Sequence, residues 1–287
     1  MGERRAVKKI AKAKAVVEGA GVRLRRAFGF QDPYEFDPFL LLADFRSDAT
    51  ADFIKGFPWH PHRGIETITY VTRGRVAHED SIGNSGTIGA GDVQWMTAGG
   101  GIYHQEMPEG DADGAMYGFQ LWANLPAASK MMSPRYREIL ASDIPVVRRG
   151  SGTEIKVIAG TVSGVSGPVK DVVIEPEYLD VSTGPGAEFV HPTKKGSTVF
   201  AYVYEGSGSV EGEGDRIAVA NRDLVLFGDG DEAALRAGES GMKFLLISGM
   251  PIREQIAWYG PIVMNTEEEL QTAYDELRRG DFIKTKQ

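Results

Sequence analysis

The chain has 287 residues, of which 42% are hydrophobic and 25% charged; it has no cysteine and a formal net charge of -8. Single cores stop growing near roughly 250–300 residues, so the length suits one large or two medium domains. The missing cysteines exclude disulfides, thiolate catalysis and thiolate ligation, so any metal must rest on imidazole and carboxylate. The acidic balance lacks the basic footprint of a nucleic-acid binder, and no direct nucleic-acid partner is expected.

The first residues are locally basic, with Arg4, Arg5, Lys8, Lys9, Lys12 and Lys14. They read as a solvated edge strand whose lysines discourage pairing with other chains; a targeting or phosphate-binding role is the alternative. No apolar run approaches the roughly 18 residues of a membrane span, and the N-terminus lacks a signal-peptide apolar stretch. A soluble, unprocessed cytoplasmic protein without membrane association is the expectation.

Short apolar or alternating segments follow one another between glycine-rich turns: Thr67 to Val71, Asp92 to Met96, Glu154 to Ala159, Thr198 to Tyr204, Asp223 to Phe227 and Lys243 to Ile247. This spacing predicts an all-β sandwich or barrel. A short helix is expected near Ser133 to Leu140, with Pro134 in its first turn. A second helix is expected from Glu267 to about Arg279, where Thr266 and Glu269 form a capping box ahead of Leu270, Ala273 and Leu277.

The stretch ITYVTRGRV around Tyr70 is echoed by FAYVYEGSG around Tyr202, an offset of 202 − 70 = 132. Asp92–Val93 is echoed by Asp223–Leu224 at 223 − 92 = 131. Two matches in near register predict duplicated β domains, 1–135 and 136–287, joined in the region from Ala127 to Gly152.

The chemistry concentrates in HPHRGIETITYV, which begins at His60, and GDVQWMTAGGGIYHQE, which ends at Glu106. Side chains two apart on a strand share a face, so His60 projects with His62, and His104 with Glu106. Two such pairs facing a barrel interior can place four ligands around one ion, and three of the chain's five histidines lie in these two motifs. Glu66 shares the parity of His60 and His62 if no bulge intervenes. It can ligate or orient a ligand histidine, and with Glu106 available the orienting role is favoured. His78 reads as a strand or loop histidine, Trp95 and Met96 as core. Gly99–Gly100–Gly101 reads as a tight turn before His104 rather than a phosphate cradle, because it lacks the lysine and the strand-to-helix context. The repeat offsets carry the four ligand positions onto Pro192, Lys194, Leu235 and Ala237, which cannot bind a metal in the same way. His191 reads as a satisfied loop residue.

These motifs, with HEDSIGNSG from His78, DPFLLLADF from Asp37 to Phe45 and YGPIVMNTEEEL from Tyr259 to Leu270, resemble the pirin family of the cupin superfamily. The resemblance covers nearly the whole chain and is weaker between Ile144 and Gly196. It implies an all-β fold of two cupin-type (jelly-roll) barrels with a short C-terminal helix. It also implies Fe(II), or another divalent transition metal, in the first barrel on His60, His62, His104 and Glu106. Some pirins resemble flavonol dioxygenases that cleave quercetin, while others act on partner proteins. Two functions therefore follow from the resemblance. One is a dioxygenase taking O2 and a small aromatic or enolic substrate, with Glu106 doubling as catalytic base. The other is a non-catalytic iron- or redox-sensing module that binds a protein partner.

Overall fold

The computed structural model describes residues 2–31, 33–212 and 215–284. Among these, strands dominate and the α-helix is Glu267–Arg279, capped as its sequence predicts: Thr266 Oγ1 accepts from Glu269 N and the Glu269 side chain returns to Thr266 N. Each predicted strand is present, in Ile65–Arg73, Val93–Thr97 (which starts one residue after the predicted Asp92), Thr153–Ala159, Thr198–Glu211, Asp223–Phe227 and Glu232–Gly249.

The chain divides into two compact units, and the division is not the linear one expected at 135/136. Residues up to Ala13 join Ser142–Pro251, and the segment from Ile252 onward joins Lys14–Ala141. The C-terminal helix therefore belongs with the first β unit, not the second. Edge pairing and burial explain the exchange. Val7–Lys12 pairs antiparallel with Asp223–Phe227 at the edge of a nine-stranded sheet. Beside it the buried Arg5 guanidinium donates to Thr193 Oγ1, Gly228 O and Lys194 O at 2.7, 2.6 and 2.8 Å. At the other terminus, Leu270 and Ala273 of the helix bury against Ala257, Ile262, Met264 and Phe282.

Besides the two-stranded sheet of Ala257–Tyr259 and Ile262–Met264, the unit that carries the histidine motifs has two larger sheets. One has seven strands in the order Arg135–Ile139, Val93–Thr97, Ile65–Arg73, Tyr117–Asn124, Phe39–Asp44, Val22–Phe28 and Lys14–Glu18. The other has four, Phe57–His62, Ile102–Glu109, Arg75–Asp80 and Ser85–Ile88. The helix expected over Ser133 to Leu140 is instead the strand Arg135–Ile139, which pairs with Val93–Thr97. Its backbone groups satisfy those of an otherwise open sheet edge, and this tertiary gain overrides local helical propensity.

Phe57–His62 holds Pro58 and Pro61 and lies at the edge of its sheet, the place where a strand tolerates residues that cannot donate to a ladder. Gly64 ends this strand at φ +77, and a Cβ there would stand 1.9 Å from Val263 O, so glycine alone fits. The chain then passes into the other sheet. The parity shared by His60 and His62 consequently stops before Glu66. The core around these strands is apolar, with Ile65, Val71, Val76, Ile88, Met96 and Ile102 each almost wholly buried. Burial of each such side chain contributes about 1.5–3 kcal/mol, so the unit is held by apolar packing rather than by its polar site.

In the other unit, Leu235 and Ala237 lie in the hydrophobic core with Phe189 and Phe244. His191 is not in a loop. It sits in the strand Glu188–Pro192, buried, with Nε2 3.0 Å from both oxygens of Glu177.

Candidate metal centre

The antiparallel pairing of Ile102–Glu109 with Phe57–His62 sets His104 opposite His60 and Ile102 opposite His62. Three imidazoles meet, with ring centroids 4.3 to 5.0 Å apart and one ligand nitrogen from each within 4.8 Å of the others. His62 and His104 are buried; His60 is half-buried.

Hydrogen bonds fix the tautomers. His60 Nδ1 lies 2.9 Å from Pro58 O and His62 Nδ1 lies 3.1 Å from Pro261 O. A carbonyl only accepts, so each Nδ1 carries the proton and each neutral Nε2 carries a lone pair. Those two Nε2 atoms stand 3.1 Å apart. Two lone pairs at that separation repel, and a cation bound to both relieves the repulsion. A proton on His62 is disfavoured, because burial, with His60 beside it, holds that ring well below the usual histidine range. Burial, with His60 and His62 after it, does the same to His104. Both ring nitrogens of His104 are buried without a hydrogen-bond partner. An orphaned buried polar group costs about 1–3 kcal/mol, which ligation would remove. Neutral imidazoles with converging, unpartnered nitrogens fit a transition metal.

Glu106 is buried two residues beyond His104, after an irregularity in the strand pairing. Its carboxylate accepts from Thr69 Oγ1 at 2.9 Å and from Gln120 Nε2 at 3.1 Å, and it is not one of the three groups whose donor atoms cluster. Thr69 and Gln120 escape a reading of motifs. The available signal is a lone glutamine among the apolar residues of Tyr117–Asn124, a strand paired on both sides. Glu66 is fully buried, and its Oε1 accepts from Thr97 Oγ1 at 2.6 Å. Burial raises its carboxyl pKa, opposed chiefly by the hydrogen bond from Thr97. His78 is in the strand Arg75–Asp80, opposite Glu106, with Nε2 2.5 Å from Tyr136 Oη. Trp95 and Met96 are core residues. The Gly99–Gly100–Gly101 turn is as tight as expected, since a Cβ on Gly99 would lie 2.1 Å from Met132 O.

An apolar slot opens beside Glu106, walled by Leu24, Phe45, Phe53, Phe57 and Val76, with Gln120 also on its lining. The space inside is about 20 Å³, which is room for a water molecule rather than for an aromatic ring.

An all-β chain of two such units, one of them converging three imidazoles from paired strands, has the architecture of a two-domain cupin with a candidate three-histidine metal site. Residues 21–123 match the Pirin family and residues 178–283 match the Pirin C-terminal cupin domain. The chain belongs to the pirin family. It is 43% identical to a pirin-like protein of Caulobacter vibrioides over 97% of this chain and 99% of that one. Against Pirin-1 of Arabidopsis thaliana the identity is 40%, over 93% of this chain and 90% of the relative. The crystal structure of a quercetin 2,3-dioxygenase from Acinetobacter baumannii superposes with a TM-score of 0.87 at 32% identity, covering 97% and 98% of the two chains. Among the described residues, no helix is long and apolar enough to cross a membrane.

Proposed function

We propose that the protein is an iron-dependent dioxygenase that opens the ring of a quercetin-like flavonol with O2, with His60, His62, His104 and Glu106 as the metal's ligands. The observation that carries the metal half is the 3.1 Å approach of two Nε2 lone pairs beside a histidine with no partner at either nitrogen. The likeness to a solved quercetin 2,3-dioxygenase supports the substrate class.

When bound, iron supplies Lewis acidity and one-electron redox chemistry. The protein's own groups do the rest. His62 and His104 stay neutral because burial disfavours their charged forms, so they offer lone pairs at ordinary pH. Three neutral donors leave the site cationic enough to attract an enolate. Glu106 accepts the 3-hydroxyl proton of the flavonol, and Thr69 and Gln120 orient its carboxylate for that transfer. The apolar walls of Phe45, Phe53 and Phe57 line the slot beside Glu106 and would seat an aromatic ring once they part.

The narrowness of that slot favours a second reading, a metal-sensing module that acts through a partner protein. An aerobic assay of the iron-loaded protein against a flavonol panel separates the two. Oxygen uptake with ring-cleaved product supports the enzyme. No uptake by fully metallated protein leaves the sensor.

A further inference from the structure

The segment after Tyr259 touches the metal centre's supports at every level. Pro261 O accepts from Nδ1 of His62 at 3.1 Å. One residue beyond His62, Arg63 is fully buried and stretched between the two turns that flank the site. Its Nε donates to Gly100 O at 2.8 Å, its Nη2 to Phe282 O at 2.6 Å, and its Nη1 pairs with Glu276 at 2.7 Å. The guanidinium lies 4.2 Å over the Phe282 ring. Phe282 is itself buried, close enough to Gly101 that a Cβ there would meet Phe282 O at 2.9 Å and its ring at 3.2 Å. Val263 N donates to Arg63 O at 3.1 Å. Lys130 then fastens the turn after His62 to the same segment: its Nζ donates to Gly64 O at 2.9 Å, Val263 O at 3.0 Å and Asn124 Oδ1 at 2.7 Å.

The turn at Arg63–Gly64 ends the strand bearing His60 and His62, and the turn at Gly99–Gly101 begins the strand bearing His104. Arg63 and Phe282 therefore tie together the ends of both ligand strands, where Ile102 faces His62. We infer that the C-terminal segment Pro261–Phe282 is a positioning part of the metal centre, fixing the tautomer of His62 and holding both ligand strands in register, so that metal binding and docking of this segment stabilise each other. The inference rests on the metal reading above. Its physical basis is that a carbonyl on the far nitrogen of a ligand histidine sets its orientation and basicity, with losses of about 10–100-fold in affinity when such support is removed. Linkage then requires the effect to run both ways.

The test uses the full-length chain and Ni(II) as an air-stable probe, with affinity read by chelator competition. Phe282→Ala removes the ring that Arg63 covers. Glu276→Gln removes the ion pair and leaves the packing. Phe282→Ala is expected to weaken Ni(II) binding about 10-fold or more, and Glu276→Gln to weaken it less. In the wild-type protein, amides from Ile262 to Ile283 are expected to exchange hydrogen more slowly with Ni(II) bound. This arm needs no variant to fold. A wedge with a purely structural role would lower Tm and leave the Ni(II) affinity of the folded variants unchanged. That result, with segment exchange indifferent to metal, overturns the inference. Failure of the metal reading looks different: wild-type protein would not bind Ni(II), or His60→Ala would bind it as tightly.

Discussion

Gln120 donates to Glu106 between the two larger sheets at 3.1 Å, while Thr69 holds the other carboxylate oxygen at 2.9 Å. Both donors come from the seven-stranded sheet and the carboxylate from the facing one, so the sheet pairing aims Glu106 as much as its own rotamer does. Gln120→Leu and Thr69→Val should each reduce turnover of a flavonol about 10-fold or more, since small misplacements of a reacting group are costly. Metal content should change little. Steady-state kinetics beside elemental analysis checks this, and unaltered kcat in both variants would remove the orienting role.

Ligation by the three histidines predicts that His60→Ala and His104→Ala lose most bound metal while keeping near-wild-type circular dichroism. The packing around them is apolar and does not depend on the imidazoles. One metal per chain is expected, since Leu235 and Ala237 stand where the repeat would need ligands and are core residues. Elemental analysis reads both numbers. Full occupancy in either variant, or two metals per chain, contradicts the assignment.

Glu66 and Glu106 should separate on substitution. Glu106→Gln removes a charge and a base, so it should weaken metal binding and abolish turnover. Glu66 accepts from Thr97 on the neighbouring strand of the seven-stranded sheet, and Glu66→Gln should cost no more than about 10–100-fold in affinity. Loss of binding in Glu66→Gln with retention in Glu106→Gln would exchange the two roles.

Much of this centre is legible in the sequence because strand parity is local. His60 with His62 is a two-residue relation and the capping box of the last helix a three-residue one, whereas Glu106, two residues past His104, lies beyond an irregularity in the strand pairing and outside the histidine cluster. What the sequence hides is long-range. Nothing local marks Pro261 O as the partner of His62, since every residue has a carbonyl. The helix-like stretch at Ser133 to Leu140 becomes a strand because an edge at Val93–Thr97 awaits it. The repeat locates two β units but cannot reveal that their terminal segments are exchanged. Glu66 leaves the histidine face because Gly64 turns the chain into another sheet, a consequence of Val263 packing against a glycine from 199 residues away in sequence (263 − 64).

Acid should destabilise the metal-free protein. Burial holds His62 and His104 well below 6.5 in the folded state, whereas the unfolded chain titrates near the ordinary value. Between those values the unfolded state binds more protons, so stability rises with pH and falls on acidification below about 6.5. Each histidine contributes a slope of about 1.4 kcal/mol per pH unit in that window. Urea melts of metal-free wild type and His104→Ala at pH 7 and pH 5 check the sign and the share: the variant should lose less stability than the wild type. Equal losses would mean that His104 is not a buried neutral imidazole.

The final prediction concerns turnover. Iron-loaded protein should consume O2 in the presence of quercetin or another 3-hydroxyflavone, slowly if that compound is a surrogate for the true substrate. A flavonol presents its 3-hydroxyl and neighbouring carbonyl as a bidentate pair, and the neutral histidines together with one carboxylate leave the site able to attract that anion once the proton has passed to Glu106. The slot beside Glu106 has about 20 Å³ of space, so ring entry requires Phe57 or its neighbours to move. Phe57→Ala should therefore lower KM for bulky flavonols more than for small enols. Binding alone would shift the flavonol spectrum without using oxygen, so uptake and ring-cleaved product must be followed together. His62→Ala serves as the control: uptake that persists unchanged in it would come from free iron or autoxidation. Absence of uptake by fully metallated wild type across the panel would move the function to metal sensing through a protein partner.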